Sequence, residues 1–258
     1  MKPAILATSL IALFATAPIQ TAYAEESGKF SLETGMGYTT GKYGGTQSTN
    51  ILYVPVVGKY EVKSWTLKLT VPYLRVSGPR NVINGVGVAG AATTATTTRS
   101  GLGDVIAAVT HNSYNGGSSG LLIDLTGKVK FGTASSTQGL GTGKNDYAFQ
   151  VDLYQTTGDH TNFGNVGYKI YGSPVGYKLN KVFYGSLGGS YKFNQETSGG
   201  MMVNFSQKVT AKGSSHIQAI FFASRKLDKN LKAQGYILKG FTNSVPSWGV
   251  AATVAYLL

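Results

Sequence analysis

The side chains best suited to chemistry in this sequence are a histidine and a serine two positions apart. His111 and Ser113 lie in the stretch His111-Asn112-Ser113-Tyr114. A histidine beside a serine can take the hydroxyl proton and make the oxygen a nucleophile, provided that a third polar group orients the histidine. The pair therefore raises the hypothesis of a hydrolase.

The residues around the pair argue against that hypothesis. The stretch resembles the His-x-Ser-Asn signature of outer-membrane lipid hydrolases, but Tyr114 separates Ser113 from Asn115. Asn, Gly and Ser are also common residues of ordinary turns. We therefore predict that the chain is not an enzyme, with lipid hydrolysis kept as an alternative.

Two further chemistries have little support. The glycine-rich segment 139–144 has the wrong spacing for a phosphate loop, and a predicted strand rather than a helix follows it. The histidines at 111, 160 and 216 lack the spacing of paired metal ligands, and the chain has no cysteine. We expect no metal and no other cofactor.

Charged residues are few, mostly basic and dispersed along the chain. Only 13% of residues are charged, about half of the roughly 25% usual in soluble domains, and the formal net charge is +12. Lysine and arginine form no run, so we predict no nucleic-acid partner. The basic residues of the predicted outer loops are instead expected to meet membrane lipid and lipopolysaccharide phosphates.

An alternation of apolar and polar residues predicts how the charged side chains are positioned. In 121–131 the odd positions are mainly apolar, and the even positions include Asp124, Lys128 and Lys130. The same period of two, which places each set on one face of a strand, recurs in 65–73 and 146–154. These faces run for about ten positions, as expected of tilted membrane-spanning strands. Aromatic residues stand at the ends of several of them and of a similar face in 248–258, namely Trp65, Tyr73, Tyr147, Trp248 and Tyr256.

We predict an all-β fold, a transmembrane antiparallel up-and-down β-barrel of about 12 strands. An even count places both chain ends on the periplasmic side, and the two longest connections, 77–100 and 132–144, then fall on the outer side. The tract Ala91–Thr98 belongs to the first of them. The predicted strands lie near 29–40, 49–60, 64–76, 101–111, 120–131, 145–155, 162–171, 181–193, 199–208, 214–224, 230–240 and 248–258.

Residues 1–24 have the pattern of a secretion signal. Lys2 precedes a short apolar segment, and Ala22-Tyr23-Ala24 has the small-x-small form of a cleavage site. Removing Lys2 would lower the net charge from +12 to +11, since 12 − 1 = 11 and no other charged residue lies in 1–24. We predict a signal peptide at 1–24 and a barrel at 25–258 in the outer membrane of a Gram-negative cell.

Four stretches together resemble the outer-membrane barrel family named after the meta pathway of phenol degradation. They are VPYLRVSGP at 71–79, SGLGDV at 100–105, GKVKFGTA at 127–134 and GLGTGKNDYAFQVDLYQ at 139–155. The extreme C-terminus departs from the usual pattern, because barrels of this class commonly end in phenylalanine and this chain ends in leucine. The resemblance implies a barrel that passes aromatic or other small organic compounds.

Side chains of both charge signs share the inward parity of the predicted strands. A barrel of this size should enclose a narrow passage, unless its own ion pairs close it. We therefore predict a channel for passive uptake of small solutes, with aromatic or anionic organic compounds as the suggested class, and keep a sealed structural barrel as the alternative. The predicted pore-lining residues are Lys68, Asp124, Lys128, Lys130, Gln150, Asp152 and Lys169.

Overall fold

The computed structural model describes residues 28–79, 95–174 and 178–258. The predicted signal peptide 1–24 and the first part of the tract Ala91–Thr98 lie outside the described residues. Within the described ranges no helix is long and apolar enough to cross a membrane.

The described chain is a succession of antiparallel strands with a single 3-10 turn at Gly117–Ser119. The strands are β1 Lys29–Gly41, β2 Thr49–Val62, β3 Trp65–Pro79, β4 Thr96–Leu102, β5 Ile106–Asn115, β6 Leu121–Lys130, β7 Asp146–Thr157, β8 His160–Ile170, β9 Val182–Lys192, β10 Thr197–Ser206, β11 His216–Lys226, β12 Leu231–Gly240 and β13 Trp248–Leu257.

The sheet closes on itself. β1 pairs with β2 on one side and with β13 on the other, so the first and last strands are neighbours. β4 and β5 both pair with β3, one after the other, and together they form one strand of the barrel. The predicted antiparallel barrel of 12 strands is confirmed.

The fourth barrel strand differs from its predicted span of 101–111. It begins earlier, at Thr96, and is interrupted between β4 and β5 at residues 103–105. Gly103 donates its N–H to the Pro72 carbonyl at 2.8 Å, and a Cβ there would lie 2.9 Å from side-chain atoms of Pro72 and Leu74. The close approach requires glycine and lets the next residue, Asp104, leave the ladder and turn inward.

Connections differ in length at the two ends of the barrel. At one end, called the long-loop end, the strands are joined by 42–48, 80–95, 131–145, 171–181, 207–215 and 241–247. At the opposite short-turn end, the connections are 63–64, 116–120, 158–159, 193–196 and 227–230. The Ser31–Leu257 pairing places both ends of the described chain at the short-turn end.

Apolar side chains cover the outside of the barrel. The exposed large hydrophobic residues occupy alternate positions of the strands, such as Leu67 and Leu69 of β3 and Phe149 and Leu153 of β7. The residues between them face inward. The aromatic residues predicted at the ends of the apolar faces are exposed on this outer surface; they are Trp65, Tyr73, Tyr147, Trp248 and Tyr256.

The division between faces predicts that adjacent positions of β9 respond differently to the same substitution. Leu187 points outward and is 74% exposed, whereas Ser186 faces the interior and is half-buried. Leu187→Arg should lower the free energy of unfolding by about 2–4 kcal/mol in lipid vesicles, because the charge would meet hydrocarbon. Ser186→Arg should cost about 1 kcal/mol, mainly the lost hydrogen bond from Asn165.

Urea-induced unfolding of the wild type and both variants in the same vesicles measures the difference. Equal losses at the two positions would contradict the assignment of the outer surface to lipid.

Candidate functional site in the barrel interior

Four charged side chains gather inside the barrel at the long-loop end, in what we call the charge cluster: Asp104, Lys130, Asp146 and Lys169. The Lys130 Nζ atom lies 2.5 Å from Asp104 Oδ2 and 3.6 Å from Asp146 Oδ2. Lys169 Nζ lies 3.5 Å from the same Asp146 oxygen and 4.5 Å from the centre of the Tyr171 ring. Two cations thus share two carboxylates, which leaves the cluster formally neutral.

The charge cluster holds the loop 131–145 against the inner wall. Asp104 accepts a hydrogen bond from the Ala134 N–H at 3.0 Å. Lys130 donates to the Thr142 hydroxyl at 3.3 Å and to the Lys144 carbonyl at 3.1 Å. Three of the stretches that carry the family resemblance therefore meet here, although Asp104 precedes Lys130 by 26 positions.

Gly141 shows why glycine recurs in this loop. A Cβ at this position would lie 2.7 Å from Asp104 Oδ1 and 2.6 Å from the Ala134 Cβ. Any larger side chain would separate the loop from its carboxylate anchor. Gly143 adds a positive φ of 60°, which glycine adopts without strain.

Apolar side chains fill the interior beside the charge cluster. They form part of one hydrophobic cluster, and Leu140 reaches it from the loop 131–145. The members that are at most 1% exposed, called the apolar plug, are Tyr43, Ile51, Leu74, Val76, Leu140, Ile220 and Leu238. At this level the described side chains leave little room for water.

Tyr43 brings a second loop into the apolar plug. It lies in the connection 42–48 with a positive φ of 48°, which is uncommon for a residue other than glycine. Its hydroxyl and the Thr39 hydroxyl are 2.8 Å apart, within hydrogen-bond distance. Burial raises the pKa of Tyr43 well above its usual range, so the phenol stays neutral inside the barrel.

The alternation of apolar and polar residues did not predict the apolar plug, because it indicated a polar interior along every strand. A signal was nevertheless present in β2, where Ile51, Leu52, Tyr53 and Val54 are apolar on both faces of the strand. Continuous apolar runs indicate strands that are covered on both sides. Tyr43 and Leu140 lie in loops and carried no such signal.

Polar side chains line much of the remaining interior. Lys128 donates to Gln150 at 2.8 Å, and Thr126 donates to Asp152 at 3.3 Å. Half-buried residues continue this surface toward the short-turn end. They are called the polar lining and comprise Glu33, Lys59, Glu61, Lys68, Asp124, Lys128 and Lys232.

The seven predicted pore-lining residues all occupy inward-facing strand positions, but they divide into three groups. Lys130 is 3% exposed and joins Lys169 in the charge cluster, while Gln150 and Asp152 are buried in the hydrogen-bonded wall. The half-buried members that belong to the polar lining are Lys68, Asp124 and Lys128.

His111 and Ser113 lie within hydrogen-bond distance near the short-turn end. The His111 Nδ1 and Ser113 Oγ atoms are 3.0 Å apart, and the imidazole stacks against Trp65 at 4.4 Å between ring centres. Among the described residues no third polar side chain contacts the His111 ring, because Asn112 points inward and donates to Asp124 at 2.8 Å. The pair thus lacks the group that orients the histidine in a hydrolase. No described cluster of His, Asp or Glu could hold a metal ion.

A closed barrel with an apolar outer surface and ion pairs inside is the architecture of outer-membrane barrels. The family model described as "Putative MetA-pathway of phenol degradation" matches residues 31–258, and the chain belongs to this family. The resemblance noted in the sequence is thereby confirmed.

Solved outer-membrane channels have the same fold. An outer membrane channel from Pseudomonas putida F1 aligns with a TM-score of 0.72 at 12% identity, over 94% of this chain and 100% of that chain. The KdgM porin aligns with a TM-score of 0.54 at 12% identity, over 88% of this chain and 98% of that chain. A comparison with curated protein sequences finds no match.

The charge cluster predicts a large effect of breaking the buried pair. Asp104→Asn removes one carboxylate that Lys130 contacts and the charged acceptor of the Ala134 N–H. We expect the free energy of unfolding to fall by about 3–5 kcal/mol, as for loss of one partner of a buried ion pair. Urea unfolding of the purified barrel in detergent micelles measures this change.

The double variant Asp104→Asn with Lys130→Met provides the control. Asp104→Asn leaves Lys130 and Lys169 sharing the single carboxylate of Asp146. Removing Lys130 as well leaves one neutral pair and should restore part of the lost stability, because excess buried charge causes much of the cost. If the double variant were as unstable as the sum of the two single variants, the two side chains would not be coupled.

Proposed function

We propose that this protein is an outer-membrane channel through which small solutes pass passively. The observation that carries the proposal is the distribution of side chains in a closed barrel. The outer surface is apolar, and lysines and carboxylates face the interior. Such a surface suits a lipid bilayer, and a partly hydrated interior suits solutes.

The same features support a placement in the outer membrane. The exposed aromatic residues at strand ends would lie at the two interfaces, and both described chain ends would lie in the periplasm at the short-turn end. Residues 1–24 would act as the export signal and be removed, with the barrel formed by 25–258. The basic long loops would then face lipopolysaccharide.

Organic anions are one solute class that the charges support. The polar lining contains four lysines and three carboxylates, and Lys59 is paired with Glu61 at 2.9 Å. Exposed lysines, including Lys42, Lys144 and Lys239, surround the long-loop end. The solute would therefore enter through a positive mouth into a lining of nearly balanced charge, which favours anions weakly.

Aromatic compounds are the second class that the interior supports. Phe163 and Phe222 face each other with ring centres 6.2 Å apart, and Tyr236 is buried in the same hydrophobic cluster. On the wall, the Tyr184 ring lies over Gly167 of the intervening strand and its hydroxyl donates to Gln150 at 3.1 Å. A planar ring could thus slide along aromatic faces while its polar groups meet hydrogen-bonding side chains.

A sealed structural barrel is the second candidate function, and the apolar plug favours it. A passage blocked by packed apolar side chains excludes water and ions. The two proposals differ in one measurable property, because the channel conducts ions and the sealed barrel does not.

Planar-bilayer recording of the purified barrel tests the proposed function. We expect small single-channel currents from the wild type and larger currents from Leu140→Ala, because this substitution shortens the side chain that the loop 131–145 places in the apolar plug. Leu187→Ala, on the outer surface, is the matched control and should conduct like the wild type. If neither the wild type nor Leu140→Ala carried ionic current, the sealed barrel would be favoured. Release of fatty acid from phospholipid by the same sample would favour a hydrolase.

Charge reversal in the polar lining predicts altered ion selectivity. Lys68 and Lys128 are each paired in register with Ala108, so they lie on one row of the interior. Lys68→Glu combined with Lys128→Glu should change weak anion preference to cation preference, seen as a change of sign of the reversal potential in a salt gradient. Lys130 is left intact because its substitution would disrupt the charge cluster.

Lys63→Glu with Lys229→Glu, in the exposed short turns, provides the control for net charge. A conducting double variant at Lys68 and Lys128 with an unmoved reversal potential would show that neither lysine lies on the ion path.

A further inference from the structure

Two neighbouring loops at the long-loop end are held together by direct contacts. Asn180, in the loop 171–181, donates its backbone N–H to the Val209 carbonyl at 2.8 Å and its side-chain amide to the Lys208 carbonyl at 3.0 Å. Leu179 and Val209 are buried in a small apolar cluster beneath these bonds. The described parts of the two loops therefore form one continuous surface.

This surface contains a cavity of about 650 Å³. Three of its lining residues, Lys178, Lys181 and Lys208, have exposed side chains that form no ion pair with a described carboxylate. Lys208 Nζ donates to the Ala211 carbonyl at 3.4 Å and keeps further donors free. The other lining residues are Leu179, Asn180, Gln207 and Ser215. We call this cavity the lysine pocket.

No described carboxylate is positioned to neutralise the lysine pocket. At the long-loop end the carboxylates of the described residues are Asp104 and Asp146, and both are ion-paired inside the barrel. Three turn carboxylates, Asp159, Glu196 and Asp228, lie at the opposite end. An anion in the pocket would meet three cations and no repelling charge.

Three lining residues of the lysine pocket continue the outward side of the barrel wall. Lys181 has the parity of the exposed Phe183 in β9, and Gln207 continues the parity of the exposed Phe205 in β10. Ser215 likewise continues the outward position of Ile217 in β11. Lys178 and Lys208 lie in the loops beyond the strand ends, and both are exposed. The pocket thus lies at the rim of the long-loop end, next to the apolar outer surface.

We propose that the lysine pocket binds a phosphate group on the headgroup of a glycolipid in the outer leaflet. This inference rests on the proposed placement of the barrel in the outer membrane, but not on passage of solute through it. Lysine ammonium groups bind phosphate as point charges, and the Ser215 hydroxyl and the Gln207 amide nitrogen, whose carbonyl oxygen accepts the Phe183 N–H, offer hydrogen bonds to the attached sugar. A site at the rim beside the apolar outer surface suits a lipid better than a free anion.

Binding of bisphosphorylated lipid A to the full barrel in detergent micelles tests the proposal. Native mass spectrometry measures the Kd for the wild type and for the triple variant Lys178→Gln, Lys181→Gln, Lys208→Gln. We expect about tenfold weaker binding by the triple variant, a loss typical of a few partly exposed charge-assisted contacts. The matched control, Lys63→Gln with Lys226→Gln and Lys229→Gln, removes the same charge at the short-turn end and should change the Kd less than about twofold.

Two further ligands identify what the pocket recognises. Dephosphorylated lipid A should bind the wild type as weakly as lipid A binds the triple variant, and inorganic phosphate should compete poorly. Equal affinity of wild type and triple variant for lipid A, or an equal loss in the control, would overturn the proposal. Competition by inorganic phosphate at the concentration of lipid A would also overturn it in favour of a free-anion site. These measurements need no ion current, so a barrel that fails to conduct leaves them interpretable.

Discussion

Closure of the sheet is the constraint on which the rest of the structure depends. β1 pairs with β13 as completely as with β2, so the closed sheet has no free edge through the middle of its wall. A backbone satisfied in this way can face lipid, which offers no hydrogen bonds. Because neighbouring residues of a strand point to opposite faces, closure also sorts every strand residue to the outside or the interior. The apolar outer surface and the polar interior surface therefore share one origin.

The interior then has to accommodate buried charge. Moving a lone ion into a low-dielectric interior costs several kcal/mol, and this cost is offset only when partners and hydrogen bonds surround it. The charge cluster meets that condition, since Asp146 faces both Lys130 and Lys169 and also accepts the Gly172 N–H at 3.1 Å. The same groups position the loop 131–145. An interaction needed to neutralise the interior thus also holds a loop inside the barrel.

Much of the fold was predictable because its signal is local. A period of two can be read from a few residues, and it located the strands, their outward aromatic residues and the inward parity of Lys68 and Lys128. The interruption at 103–105 was not predictable in the same way, because it depends on Gly103 approaching Pro72 and Leu74 of the neighbouring strand. The inward position of Leu140 depends on an anchor at Asp104, more than thirty positions earlier in the chain. Contacts between segments distant in the sequence produce no periodic pattern of residue types.

The two halves of the interior have different physical consequences for a solute. An ion is well accommodated by the polar lining, but at the apolar plug it would lose its hydration without gaining a partner, which is unfavourable by several kcal/mol. An uncharged aromatic ring loses far less there, because apolar and aromatic side chains replace the water that it gives up. In the proposed channel, an ion would pass only if the loop 131–145 moved, whereas a neutral ring would need only a displacement of the plug side chains. The loop anchor and the apolar plug together would then make the channel more selective by polarity than its strand number alone predicts.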